Sequence, residues 1–131
     1  MKLRIHNGSL RLRLSRTDVD QLQGTNICAE SLRFGSGSQL IYTLETSTQF
    51  TVMEAQYRQD RLRILLPVEM ARRWASSDHI SLSLDSVVGD GPSILIEKDF
   101  RCLHSDERKP SEDSDSFPNP LADDRGNLAI K

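Results

Sequence analysis

The sequence predicts an α+β protein, mainly antiparallel β, made of internally duplicated ββαββ units forming a barrel-like or curved sheet with two short helices. Three observations carry this reading. Leu and Ile alternate with charged or polar residues through most of residues 1–100, the period of half-buried strands. Two amphipathic helix-like stretches interrupt that alternation. Finally, the string RLRLSRTDVDQL from Arg11 is echoed by RLRILLPVEMARRW from Arg61, strand running into helix both times.

The first unit begins with Leu3 and Ile5 on one face and Lys2, Arg4 and His6 on the other. Asn7-Gly8 is a strong hairpin signal, because a type I′ turn needs two positive φ angles. Leu10, Leu12 and Leu14 then line the inner face of the returning strand, with Arg11 and Arg13 opposite. Thr17 and Asp20 have the spacing of a capping box, and Gly24 is placed to end the helix they open. NICAESLRFG and QLIYTLETS follow as strands around Gly35-Ser36-Gly37-Ser38.

The second unit repeats the order. FTVMEAQY turns through Arg58-Gln59-Asp60 into RLRILL, and Pro67 suits the first position of a helix. Met70 and Trp74 give that helix its apolar stripe. HISLSLDS and SILIEKDF close the unit around Gly89-Asp90-Gly91-Pro92. The repeats therefore run over residues 1–47 and 50–100 of a domain spanning 1–104. A closed barrel is favoured because closure removes exposed edges; an open sheet with both helices on one face is the alternative.

Residues 105–131 hold 7 acidic and 4 basic side chains and little periodic apolar content, so an acidic, disordered tail is expected. Its apolar patch, Phe117, Pro118, Asn119 and Pro120, is a candidate contact for a protein partner. The net charge of −2 lacks the basic excess of a dedicated nucleic-acid binder. No apolar run reaches membrane-spanning length and no signal-peptide core precedes the first strand, which points to the cytoplasm and away from membranes.

Candidate chemistry is sparse. Arg11, Arg13, Arg61 and Arg63 fall at matching places in the two echoes, and with Lys98 they form a candidate anion site; Lys2 and Arg4 could join them. A guanidinium fork bonds two phosphate oxygens at once. The ordinary alternative is that these residues solvate a sheet's outer face, partnered by Glu30, Glu45, Glu54 and Asp85. Cys102 and His104 are weak metal candidates, since a C-x-H pair alone does not make a four-ligand site. Cys28 reads as a buried thiol. There is no nucleophile elbow, no H-E-x-x-H, and no glycine loop opening a helix. A protein without cofactor, more a binding module than an enzyme, is expected.

The head MKLRIHNGSLRLRL, together with EKDFRCLH and FPNP, resembles a family of short bacterial proteins defined only as a domain of unknown function. That resemblance covers nearly the whole chain, implies a bacterial source and transfers no catalytic residue. The strand count and alternating charges are similar to the CYTH-type triphosphate tunnel barrels, which implies inward Arg and Lys for phosphate and a divergent phosphohydrolase. The E-x-E-x-K hallmark of those enzymes is replaced here by Lys2-Leu3-Arg4-Ile5-His6. RILLPVEMARRW and the hairpin after it resemble AbrB-type swapped-hairpin domains, which implies DNA binding as a further alternative.

Overall fold

The computed structural model describes residues 1–84 and 91–100, and residues 117, 118 and 120. Among these residues eight strands and two helices follow in the order β1 (Lys2–His6), β2 (Ser9–Leu14), α1 (Arg16–Thr25), β3 (Ile27–Arg33), β4 (Gln39–Ser47), β5 (Glu54–Arg58), β6 (Arg61–Pro67), α2 (Val68–Ala75), β7 (Ser81–Leu84) and β8 (Ser93–Lys98). The ββαββ order thus occurs twice.

The strands do not close into a barrel. They form two four-stranded mixed sheets, ordered β1-β2-β8-β7 and β3-β4-β6-β5. Each sheet joins a hairpin of one repeat to a hairpin of the other along a central parallel pair, β2 with β8 and β4 with β6. A repeat therefore sends its first hairpin to one sheet and its second hairpin to the other, with its helix between them. The two repeats interlock, and the parallel pairs follow from that exchange.

The structural period is 52 residues, from the helix N-cap at Ser15 to that at Pro67. The hairpin turns keep the same step. Asn7 and Gly8 have φ of 47° and 76°, and Gln59 and Asp60 have φ of 52° and 62°, so both turns are of the primed kind. So does the core: Leu12 pairs with Ile96 as Ile64 pairs with Leu44. The echo of Arg11 with Arg61 is therefore two residues out of register. Arg11 corresponds to Arg63, and Arg13 to Leu65.

Helix α1 starts two residues before the expected cap. Ser15 follows the last core residue of β2, and its hydroxyl accepts from the Asp18 backbone N–H at 3.2 Å while Asp18 accepts from the Ser15 N–H at 2.9 Å. Asn26, left-handed at φ 66°, ends the helix in place of Gly24. Pro67 is the N-cap of α2 and not its first helical residue, so the helix opens one position later than expected, at Val68.

One core draws on both sheets and both helices. Leu12, Leu14, Leu44, Ile64, Leu66, Ile94 and Ile96 come from the strands, Leu22 from α1 and Trp74 from α2. The Trp74 indole N–H donates to the Ile80 carbonyl at 3.1 Å, which satisfies the polar end of a side chain only 1% exposed. Cys28 is a buried free thiol, as its strand context predicted. Its Sγ donates to the Asp18 carbonyl, and burial raises its pKa.

Candidate functional site

With the leucines inward, the arginines of β2 and β6 face outward. Residues paired across strands share a face, so the register defines the outer surface of the first sheet. Lys2 lies opposite Arg13, Arg4 opposite Arg11, and His6 opposite Ser9. Arg13 in turn pairs with Glu97 on β8. Two rungs of the β1/β2 hairpin are thus pairs of like charge, an arrangement that destabilises a sheet.

Acidic neighbours offset part of this. Glu97 accepts from Arg13 Nε at 3.1 Å and lies 3.7 Å from Arg11 Nε. Asp99 stands 3.5 Å from Lys2 Nζ and 4.0 Å from Arg13. Arg4 has no acidic partner among the described residues. His6 Nε2 is 3.0 Å from the Asn7 amide and does not neutralise it.

The corresponding rungs of the second sheet are built differently. Glu54 stands opposite Leu65 and Gln56 opposite Arg63. Arg63 donates through Nε and Nη2 to the two oxygens of Glu45, at 3.0 and 2.8 Å, and through Nη1 to Gln56 Oε1 at 3.3 Å. Thr43 donates to the same carboxylate at 2.7 Å. The bonds from Arg63 lead the effects on Glu45 and hold its carboxyl below the usual range despite burial. Arg63 is occupied within the fold, whereas Arg61 is exposed at the hairpin tip opposite Arg58.

The residues singled out for an anion site are therefore not gathered together. Arg11 and Arg13 lie on one sheet, Arg61 and Arg63 on the other. Lys98 pairs with Leu14 and so belongs to the opposite face from Arg11 and Arg13. Its ammonium donates to the Ser77 carbonyl at 2.7 Å and stands 5.5 Å from the Trp74 ring centroid. A tunnel lined by inward Arg and Lys is not formed, because the faces are reversed and the sheets are open. The sequence reading did not foresee Glu97 and Asp99 as counter-charges, since only the parallel β2/β8 register brings them beside Arg13.

Cys102, His104 and Asn119 lie outside the described residues, as does nearly all of the acidic tail; Phe117, Pro118 and Pro120 are exposed. Among the described residues no three His, Cys, Asp or Glu side chains are grouped to hold a metal ion. Two open clefts, of about 450 and 460 Å³, lie at the β3/β4 turn and beside Trp74; neither is lined by the outer face of β1 and β2. Among the described residues no helix is long and apolar enough to cross a membrane.

The fold and this face define an α+β domain of two interlocked ββαββ repeats, with a basic outer surface on the β1/β2 hairpin and an ion-paired Arg63 at the corresponding place on the other sheet. Residues 1–121 match the model of DUF7009, a family of unknown function, and the chain belongs to that family. No curated protein and no solved structure matches it.

Proposed function

We propose that this domain is a non-catalytic binding module whose ligand is phosphate-bearing, a nucleotide or polyphosphate, held on the outer face of β1 and β2. The observation that supports this is the pair of like-charge rungs, Lys2 with Arg13 and Arg4 with Arg11. Like charges set directly opposite destabilise the free protein, and Arg4 has no acidic partner among the described residues to offset this. A ligand carrying several negative charges would remove that cost, and guanidinium forks suit its oxygens. The rungs of the other sheet at the same two places, Glu54 with Leu65 and Gln56 with Arg63, carry no such pairs, and its like-charge rung, Arg58 with Arg61, lies at the hairpin tip.

The test is calorimetric titration with tripolyphosphate at two salt concentrations. The double substitution Arg4→Gln with Arg11→Gln is expected to weaken binding by about tenfold, roughly 1.4 kcal/mol. It should leave the unfolding midpoint in ligand-free buffer unchanged or higher, because it removes one repulsive rung. No heat from the unaltered protein would refute the reading.

A second reading is contact with a protein partner through Phe117, Pro118, Asn119 and Pro120, supported by the 96% exposure of Phe117. A chain ending at residue 104 separates the two. It should keep tripolyphosphate binding if the β1/β2 face is the site.

A further inference from the structure

Among the described residues there are four edge strands, and of these β3 is the one left open to pairing. Sheet edges in stable proteins are blunted by shortness or charge. Among the described residues β7 has four, β1 has five with three basic side chains, and β5 has five with Glu54 and Arg58. β3 has seven residues, and its last five are all exposed. Its charges are Glu30 and Arg33, with the Glu30 carboxylate 3.1 Å from the Met1 ammonium.

The ladder fixes which backbone groups are available. Thr46 N–H donates to the Asn26 carbonyl and Phe34 N–H to the Ser38 carbonyl, so even-numbered residues of this stretch bond toward β4. The odd-numbered residues Ala29, Ser31 and Arg33 point their N–H and C=O groups away from the sheet. Ile27, at the start of the strand, is already occupied: its carbonyl accepts from Gln21 Nε2 and Thr25 Oγ1.

We infer that β3 pairs with the β3 strand of a second copy of this chain, antiparallel about a two-fold axis at Leu32. In that register Ser31 of each copy faces Arg33 of the other, so the outward backbone groups meet as hydrogen-bonded pairs. Leu32 faces Leu32 in the closer, non-hydrogen-bonded position. The Leu40–Leu32 rung of one copy then continues into the same rung of the other, giving four leucines in a row. This covers Leu32, which is 55% exposed in the single chain. Glu30 faces Phe34 of the second copy, so neither charge meets its like. A parallel self-pairing would set Glu30 against Glu30 and Arg33 against Arg33. The β1 edge, with Lys2, Arg4 and His6, would set like charges together in any self-pairing.

The test is sedimentation velocity on the full chain over a concentration series. The expected result is a reversible equilibrium between the 14.8 kDa chain and a species of twice that mass. Ser31→Pro deletes one outward N–H without touching the β3/β4 ladder, and proline is tolerated at such edge positions. Leu32→Lys places two ammonium groups at the axis. Both variants should sediment as monomers with unchanged circular dichroism, while Tyr57→Lys on the β5 edge should still dimerise. If Ser31→Pro fails to fold, Leu32→Lys alone decides, since its site is exposed. A wild-type chain that stays monomeric at every concentration, or a folded Leu32→Lys variant that still dimerises, would overturn the inference.

Discussion

Arg11 and Arg63 occupy the same place in the two halves of the molecule, each reaching across a central parallel strand pair toward a glutamate. The Arg63 contact to Glu45 is a two-point bond at 3.0 and 2.8 Å, whereas Arg11 stands 3.7 Å from Glu97 and shares it with Arg13. The difference follows from the strand beside each arginine. Gln56 lies opposite Arg63 and accepts a further N–H, while Arg4 lies opposite Arg11 and repels it. One half of a duplicated fold uses its arginine for stability, and the other leaves its arginines partly uncompensated on a basic surface.

Glu45→Gln should therefore destabilise the domain at neutral pH. Arg63 is over a third exposed, so screening limits the loss to about 1 kcal/mol or less. The Arg63 bonds lower the Glu45 pKa below its ordinary 4.5. A depressed carboxyl pKa adds stability above the unfolded-state value and loses it as pH falls through the folded-state one. Urea midpoints of wild type and variant should differ at pH 7 and converge in acid below pH 4.5. A constant gap across that range would exclude Glu45 as the titrating group.

The two primed turns make an internal control for backbone strain. Asn7-Gly8 carries residues suited to positive φ, while Gln59-Asp60 holds the same geometry with Gln, which resists it, and Asp, which tolerates it less well than Gly. Gln59→Asn together with Asp60→Gly should raise stability by about 1 kcal/mol. In the other direction, Gly8→Ala should lower it by a similar amount. An added Cβ there meets nothing within 4 Å, so the cost is conformational and not steric. Thermal unfolding of the three proteins measures both signs.

Much of the fold was legible because its signals were local. Alternation gave the faces of β2, β6 and β8, Asn7-Gly8 gave the first turn, and Trp74 fell on the apolar side of its helix. The long-range pairing was not. A shift of two residues leaves every strand side chain on the same face, so RLRL matched RLRI at Arg61 while the turns and caps obey a different step. Ser15 and Thr17 both precede an Asp by three residues, and only the end of β2 at Leu14 chooses between them. The exchange of hairpins between sheets leaves no local trace, and with it went the barrel, the shared arginine surface and the partnership of Glu97 with Arg13.

Ser15→Ala tests the cap that the structure selects. It removes the acceptor for the Asp18 N–H and should cost about 1 kcal/mol. Thr17→Ala, at the position the sequence pattern favoured, should change stability by less than about 0.5 kcal/mol. Equal losses from the two would mean that the helix starts elsewhere. Asp18 adds a second readout, since it also pairs with the Met1 ammonium at 2.8 Å. Burial opposes its charge, but the bonds from Met1 and Ser15 outweigh burial and leave its pKa lowered. Asp18→Asn should thus lower stability at neutral pH and remove part of its acid dependence.

Lys98 separates a structural lysine from a ligand-binding one. Its ammonium donates to the Ser77 carbonyl just past α2 and stacks over Trp74, on the face away from Arg11 and Arg13. Lys98→Met keeps the aliphatic stem but loses the charge-assisted bond and the cation–π contact, for a cost of about 1–2 kcal/mol. Trp74 is the chain's single tryptophan, so its fluorescence reports the change directly. The expected outcome is a lower unfolding midpoint and altered emission, with tripolyphosphate affinity unchanged. Weakened tripolyphosphate binding at an unchanged midpoint would instead place Lys98 in the anion site, on the other side of the sheet from where its hydrogen bond now holds it.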